Sequence, residues 1–177
     1  VSFLMVAKKK TQINCIKAEK KTKHHSIKAL IFYKMSNLLL LRTLCRTDTI
    51  CILAELMSQS LVIIPTYNEI ENIEKMIRKV FSLKREFHLL IVDEGSPDGT
   101  AQKVKELQNE FGGKLHIEER KGKLGLGTAY IHGFKWALAK NYEYIFEMDC
   151  DFSHNPDDLI RLQEACEKGA DVSIGSR

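Results

Sequence analysis

Short apolar segments alternate with longer amphipathic segments over residues 61–174, and this alternation constrains the fold more than any other feature of the sequence. The apolar segments are typical of buried strands and are predicted at 61–64, 88–92, 115–118, 144–148 and 170–174. The intervening segments carry apolar residues at helical spacing and are predicted as helices at 69–83, 100–111, 128–140 and 157–168. Alternating strands and helices predict an α/β fold with a mainly parallel sheet flanked by helices.

The chemically distinctive residues follow the ends of the predicted strands. They lie in four connecting segments, at 65–69, 93–99, 121–127 and 149–154. Ligands of open parallel sheets bind at the carboxyl ends of the strands, so we expect these segments to converge at one edge of the sheet. That edge is the predicted ligand site.

Two aspartates, Asp149 and Asp151, stand two residues apart directly after an apolar strand, with Cys150 between them. Hard divalent cations prefer carboxylate oxygens, and Mg²⁺ commonly takes one or two of them together with substrate phosphates. The pair therefore fits a metal that bridges a diphosphate, although pairs of acids are also common in surface turns. A nucleophilic role for Cys150 is disfavoured because the sequence places no histidine base beside it.

Two further segments suit a nucleotide, and each also has a plain structural interpretation. Asp93 and Glu94 close a strand, where a carboxylate can accept hydrogen bonds from a ribose or a base, but turn-forming residues follow them. Residues 121–127 offer backbone N–H groups and two lysines ahead of a helix, which suits a phosphate but equally a flexible connector. The turn after the first strand lacks G-x-G-x-x-G, which argues against a dinucleotide-binding oxidoreductase. Tyr130, Phe134 and Trp136 recur at helical spacing and are predicted to be core residues.

Residues 1–56 differ in composition from the rest of the chain. They hold 11 Lys and Arg against three acidic residues, whereas residues 57–177 hold 16 against 20 and carry a net charge of −4. All ten glycines and all three prolines also lie after residue 57. We therefore divide the chain into a basic leader at 1–56, with no predicted folded domain, and a globular part at 57–177. The acidic globular part does not favour nucleic-acid binding.

Three interpretations of the leader stay open: a basic amphipathic segment at a membrane surface, a disordered tail, or translated sequence upstream of a start at Met57, which we favour. Residues 37–56 are the best candidate for a membrane span, but four charged side chains make that segment unsuitable. At the other end the sequence stops directly after a predicted strand, and we expect a longer protein. The five cysteines show no zinc-site spacing and are expected to be free thiols in a reducing cytoplasm.

Five motifs in this order resemble the family-2 glycosyltransferases of the GT-A fold, and within them the dolichol- or polyprenol-phosphate mannose synthases. The motifs span about residues 60–177 and read "LVIIPTYNEIENI", "IVDEGSPDGT", "RKGKLGLGTAYIHGF", "FEMDCDFSHNPDDL" and "ADVSIGSR". The resemblance implies a GT-A (Rossmann-like) fold that is truncated at its C-terminal end. It also implies metal-dependent, inverting transfer of mannose from GDP-mannose to a polyprenyl phosphate.

The resemblance assigns roles to individual residues. It implies that nine residues line the nucleotide-sugar pocket, namely Pro65, Tyr67, Glu69, Asp93, Glu94, Lys123, Asp149, Cys150 and Asp151. Asp93 would contact the base or the ribose, and Lys123 would lie near the donor. Asp149 and Asp151 would bind Mg²⁺ or Mn²⁺, with Ser153 as a further ligand. Arg177 would hold phosphate on the acceptor side and complete the catalytic set.

Glu94 departs from the pattern of the family, which usually has a second aspartate at this position. If the Glu94 carboxylate touches the nucleotide, affinity for the nucleotide should fall, and if it faces the neighbouring loop nothing follows. The implied partners are GDP-mannose and a polyprenyl phosphate at the cytoplasmic face of a membrane, and the oligomeric state is left open. Two alternatives remain: a family-2 transferase with a glucose or N-acetylhexosamine donor, and an inactive nucleotide-sugar-binding fragment.

Overall fold

The computed structural model describes residues 4–9 and 60–175 of the chain. Its six strands are β1 (Leu4–Lys8), β2 (Ser60–Thr66), β3 (His88–Asp93), β4 (Leu115–Glu119), β5 (Tyr144–Glu147) and β6 (Val172–Gly175). Its α-helices are α1 (Ile73–Phe81), α2 (Thr100–Phe111), α3 (Leu126–Ala139) and α4 (Asp158–Glu167), and a 3₁₀ turn at Gly112–Lys114 follows α2. Within these residues, no helix has the length and apolar character that crossing a bilayer requires.

The strands form one sheet in the order β4-β3-β2-β5-β1-β6. The pairs β2–β3, β3–β4 and β2–β5 are parallel, whereas β1 runs antiparallel to both β5 and β6. The predicted α/β fold with a mainly parallel sheet is therefore confirmed. Parallel pairing brings the carboxyl ends of β2, β3, β4 and β5 to the same edge of the sheet.

Both faces of the sheet are covered by helices, as the continuous apolar run in β2 requires. Val62 and Ile64 belong to the core cluster that includes residues of α1, α2 and α4, whereas Leu61 and Ile63 belong to the cluster beneath α3. Helix α3 lies very close to the sheet at Gly133, where an added Cβ would stand 2.7 Å from Cγ2 of Ile63. This close packing fixes where the first turn of α3 meets the strand ends.

All five predicted strands and all four predicted helices have counterparts in the structure. The largest shift of a boundary is at α1, which was predicted from residue 69 and begins at Ile73. The backbone N–H groups of Asn72 and Ile73 both donate to the carbonyl oxygen of Glu69, at 3.0 and 2.8 Å. Residues 69–72 thus form a turn that leads into the helix.

Strand β1 was not predicted, because its residues were assigned to the leader. Met5 pairs with Glu147 of β5 and with Ile174 of β6, and the side chains of Leu4 and Val6 are 1% and 0% exposed. These five residues are mostly apolar and are followed by lysines. Nothing in this local pattern indicates that β5 and β6, which lie far away in the sequence, will pair with them. Residues 1–56 were considered doubtful as a folded domain, and Leu4–Lys8 within them form a strand of the sheet. Residues 1–3 and 10–59 lie outside the described residues, and the division of the chain after residue 56 stays a prediction.

Candidate functional site

An open cleft of about 230 Å³ lies at the carboxyl ends of β2 and β5, beside the first turn of α3. Ten residues line it: Pro65, Thr66, Tyr67, Glu69, Glu94, Lys123, Leu126, Asp149, Cys150 and Asp151. Eight of the nine residues predicted for the nucleotide-sugar pocket are among them. Sequence reasoning missed Thr66 and Leu126, which lie within the predicted segments 65–69 and 121–127 but carry no distinctive chemistry. The convergence of connecting segments at one edge of the sheet agrees with the prediction.

Asp149 and Asp151 enter the cleft from the segment that follows β5. The backbone N–H of Met148 donates to the carbonyl oxygen of Ile63 at 3.1 Å, which continues the pairing with β2 up to the first aspartate. Phe152 then adopts a left-handed φ of 58°, which is unusual for a residue other than glycine. The turn lets the backbone N–H of Ser153 donate to Oδ1 of Asp151 at 2.9 Å.

Hydrogen bonding from Ser153 lowers the pKa of Asp151, so this exposed carboxylate stays ionised at neutral pH. Between the two aspartates, Cys150 is 3% exposed, and burial raises the pKa of its thiol. A buried, protonated thiol is a poor nucleophile, which agrees with the prediction that Cys150 is not a nucleophile. Its side chain packs in the core and so spaces the two carboxylates on the cleft side.

The oxygen atoms of these side chains suit a hard divalent cation that is also bound by a nucleotide ligand. Asp149 and Asp151 line the cleft together with Glu69 and Glu94, and carboxylate oxygens are the ligands that Mg²⁺ and Mn²⁺ prefer. Over the described ranges, no group of three or more His, Cys, Asp and Glu side chains is arranged to bind a metal. Asp149 and Asp151 would supply two of the oxygen ligands that such a cation needs. Ser153 stands beside Asp151, and its role as a further ligand stays a prediction.

Tyr130 reaches the same group of acids from α3. It packs beside the core cluster under that helix, as predicted, but its hydroxyl also donates to Oδ1 of Asp149 at 2.9 Å. Burial, and then the charge of Asp149, raises the pKa of Tyr130, so the hydroxyl remains a donor throughout the physiological range. Burial and the same neighbour raise the pKa of Glu147 to about 7. Helical spacing correctly predicted that the Tyr130 ring packs at the core, but no sequence signal indicated that its hydroxyl would contact Asp149.

Asp93 does not line the cleft but lies beneath it, 1% exposed. Its carboxylate accepts hydrogen bonds from Thr66 Oγ1 at 3.0 Å, Gly95 N at 3.0 Å, and Ser96 N and Oγ at 2.9 and 2.5 Å. Ser96 Oγ in turn accepts from the backbone N–H of Asn68. In this structure Asp93 therefore holds the ends of β2 and β3 together, and a contact with a base or ribose stays a prediction.

The segment after β2 is held by the neighbouring segment after β3. The backbone N–H of Glu69 donates to Thr100 Oγ1 at 3.0 Å, and that of Ile70 donates to Asp98 Oδ2 at 3.0 Å. Asp98 also accepts from the backbone N–H of Thr100 at the start of α2. These bonds fix the wall of the cleft that carries Tyr67 and Glu69.

Lys123 supplies the positive charge of the cleft. Its Nζ lies 4.4 Å from the centre of the Tyr67 ring, a cation–π arrangement that holds the ammonium group above the cleft. Glu94 faces the segment that carries Lys123, and its carboxylate pairs with Arg120. Arg177, the remaining predicted site residue, lies outside the described residues. The cleft thus holds the carboxylates of Asp149 and Asp151 near one ammonium group, a combination that would suit a diphosphate bound through a metal.

Comparison with known proteins assigns the chain to a class. The model of the family "Glycosyl transferase family 2" matches residues 61–177, and the chain therefore belongs to that family. The chain is 46% identical over 119 residues to "Polyprenol monophosphomannose synthase" of Mycolicibacterium smegmatis, covering 67% of this chain and 45% of that protein. It is 44% identical over 117 residues to "Undecaprenyl-phosphate mannosyltransferase" of Micrococcus luteus, covering 66% and 47%. The chain thus spans less than half the length of these curated relatives.

A solved structure is similar in fold. The crystal structure of S. aureus TarS residues 1–349 superposes with a TM-score of 0.51 at 23% identity, covering 60% of this chain and 31% of that one. This similarity concerns the fold alone. Together with the sheet order it confirms the predicted GT-A architecture.

Proposed function

We propose that this chain forms the donor- and metal-binding part of an enzyme that transfers mannose from GDP-mannose to a polyprenyl phosphate. One observation carries the proposal: Asp149, Asp151 and Lys123 line a single cleft at the carboxyl ends of the strands. The names of the two relatives described above supply the sugar and the class of acceptor. The acceptor is a lipid, so the reaction would take place at a membrane surface, which we expect to be the cytoplasmic face.

The cleft residues would divide the work of binding the donor. Asp149 and Asp151 would hold Mg²⁺ or Mn²⁺, which when bound offsets the negative charge that builds on the diphosphate leaving group. Lys123 would pair with a donor phosphate that the cation leaves uncompensated. Pro65, Tyr67 and Glu69 would form the wall against the nucleoside.

The chemistry of the acceptor explains why the cleft needs no strong base. A polyprenyl phosphate is already an anion at pH 7, so its oxygen can attack the anomeric carbon without losing a proton to the protein. Attack from the side opposite the diphosphate inverts that carbon. The contribution of the protein is then to bring two mutually repelling anions together, for which Arg177 is proposed on the acceptor side.

Titration calorimetry of the full 177-residue chain tests this proposal. GDP-mannose, UDP-glucose and UDP-N-acetylglucosamine are titrated separately in Mn²⁺ and again in excess chelator. We expect GDP-mannose to bind most tightly and to lose its binding in chelator. A preference for either UDP-sugar would instead support the alternative of a glucose or N-acetylhexosamine donor.

A second candidate is an inactive fragment that binds the nucleotide sugar. It is motivated by the observation that the chain matches less than half of each relative. Incubation with GDP-mannose, Mn²⁺ and a short polyprenyl phosphate separates the two. Release of GDP together with a mannosylated lipid supports the enzyme, whereas tight donor binding without either product supports the fragment.

A further inference from the structure

Glu94 and Arg120 form a buried ion pair at the rim of the cleft. Glu94 follows β3 and Arg120 follows β4, and these strands pair up to Asp93 opposite Glu119, so the two side chains emerge at the same level. Arg120 Nη1 lies 2.6 Å from Glu94 Oε1, with the side chains 11% and 6% exposed. Among the Lys or Arg pairs with Asp or Glu in the described ranges, this pair is the most buried. Such a pair is costly to break because each charge would then be left buried alone.

The pair also makes hydrogen bonds that restrain both ends of residues 121–125. Arg120 directly precedes this segment, and its Nη2 donates to Thr128 Oγ1 at 2.9 Å in the first turn of α3. The backbone N–H of Leu124 donates to Glu94 Oε1 at 3.3 Å. We refer to Glu94 and Arg120, with these two bonds, as the latch.

Backbone packing reinforces the latch on the side of β3. Gly95 has a left-handed φ of 74°, and a Cβ added there would stand 3.2 Å from the backbone nitrogen of Gly122. A side chain at position 95 would be strained by this φ and would crowd the backbone of Gly122. The segment after β4 therefore rests directly on the segment after β3.

The latched segment carries Lys123 over the cleft. Gly122 and Gly125 flank this lysine with left-handed φ values of 99° and 96°, so the segment has little conformational preference of its own. A lysine on such a segment must be ordered before it pairs with an anion, and prior ordering improves affinity. The length of the glutamate matters here, because an aspartate would end short of Arg120 by about one C–C bond, roughly 1.5 Å.

We propose that Glu94 and Arg120 are positioning residues, which hold residues 121–125 against the end of β3 and so keep Lys123 in place for the phosphates of a nucleotide-sugar donor. The ligand in this inference rests on the proposed function, whereas the latch rests on contacts within the chain. It gives the unusual glutamate at position 94 a role through the loop that does not require a contact between its carboxylate and the nucleotide.

Two measurements on the full chain test the proposal. Hydrogen exchange, followed by mass spectrometry without ligand, reports the order of residues 121–125. Titration calorimetry with GDP-mannose and Mn²⁺ reports the donor Kd. The variants are Glu94→Gln, Glu94→Asp and Arg120→Lys. Glu110→Gln is the matched control, because Glu110 pairs with Arg78 at the same 2.6 Å but half exposed.

We expect Glu94→Gln to speed exchange over residues 121–125 and to raise the donor Kd about tenfold, which corresponds to the loss of one charge-assisted hydrogen bond. Glu94→Asp and Arg120→Lys keep both charges and should give the same changes to a smaller extent. If Glu94→Gln proves too unstable to measure, these two variants still test the latch. Glu110→Gln should change neither quantity. Unchanged exchange in all three latch variants would overturn the latch.

A double-mutant cycle with Lys123→Ala separates positioning from general damage. If Glu94 acts through Lys123, then Glu94→Gln should have little further effect on donor Kd once Lys123 is removed. Additive effects, or faster exchange with an unchanged donor Kd, would overturn the positioning role. A folded wild-type chain that binds no nucleotide sugar would contradict the proposed function instead, and the exchange data would still decide whether the latch exists.

Discussion

The hydroxyl of Tyr130 donates a hydrogen bond to Oδ1 of Asp149, with a distance of 2.9 Å. The two residues lie on different elements, α3 and the segment after β5, so the bond fixes the orientation of a proposed metal ligand relative to the helix. A neutral donor orients the carboxylate without cancelling the charge that attracts a cation.

Tyr130→Phe should therefore weaken Mn²⁺ binding in the presence of GDP by about fivefold, equivalent to about 1 kcal/mol. Electron paramagnetic resonance of free Mn²⁺ measures this directly. Tyr142→Phe is the matched control, because its hydroxyl pairs with His88 Nδ1 at 2.8 Å near the opposite ends of the strands. Equal Mn²⁺ affinities in both variants would show that the Asp149 contact has no role in binding.

Strand β1 contributes core residues, and this predicts that the N-terminus is needed for stability. Leu4→Ala should lower the free energy of unfolding by about 2–4 kcal/mol, because it empties a site that is 1% exposed. Ile174→Ala, on the paired strand β6 but 55% exposed, should cost much less. Urea denaturation compares the two. Equal and small effects would indicate that β1 does not pack in the sheet and would favour the interpretation of 1–56 as a leader throughout.

The close approach of α3 to the sheet gives a prediction within one helix. Gly133→Ala places a methyl group against Ile63 and should destabilise the chain by about 1–3 kcal/mol. Gly127→Ala in the first turn meets no atom within 4 Å and should be neutral or slightly stabilising, since alanine favours helix. Thermal denaturation of both variants checks the difference. A harmless Gly133→Ala would mean that α3 sits further from β2 than described.

Glu147 makes stability depend on pH in a defined direction. Its pKa rises from 4.5 to about 7 in the folded chain, first through burial and then through Asp149. A carboxyl whose folded pKa is raised stabilises the fold fully below the unfolded pKa, and this contribution is lost as pH rises through about 7. The free energy of unfolding of Glu147→Gln should therefore rise relative to that of the wild type as the pH increases from 4.5 to 7. Above pH 7 this difference should stay constant.

Urea denaturation of metal-free protein at a series of pH values measures this gain. Glu143→Gln, an exposed acid that precedes the same strand, is the control and should follow the wild-type curve. A difference between Glu147→Gln and wild type that does not change with pH would contradict the assigned pKa.

Most of the sheet and most of the cleft were predictable because they depend on local pattern. Apolar runs and helical spacing located five strands and four helices, and their alternation placed the segments that carry Asp149, Lys123 and Tyr67 at one edge. Strand β1 was not predictable in this way, because its five residues gain their structure from two distant strands.

The contacts within the cleft were less predictable for the same reason. Glu94 and Arg120 stand 26 residues apart, and Tyr130 and Asp149 stand 19 apart, so neither pair has a spacing that a sequence pattern reveals. The relative position of α3, β3 and β4 brings them together. The role of Asp93 also depends on packing, since its burial under the cleft follows from how β2 and β3 end.

Calorimetry on an Asp151→Ala variant is the sharpest test of whether Asp149 and Asp151 bind a nucleotide-sugar donor through a divalent cation. We expect the wild-type chain to bind GDP-mannose in Mn²⁺ and Asp151→Ala to abolish this binding. Asp157→Ala, an exposed aspartate paired with Lys79 at 2.8 Å and absent from the cleft wall, should bind like wild type. Binding that persists in a folded Asp151→Ala chain, or in excess chelator, would contradict metal-dependent donor binding by these two aspartates.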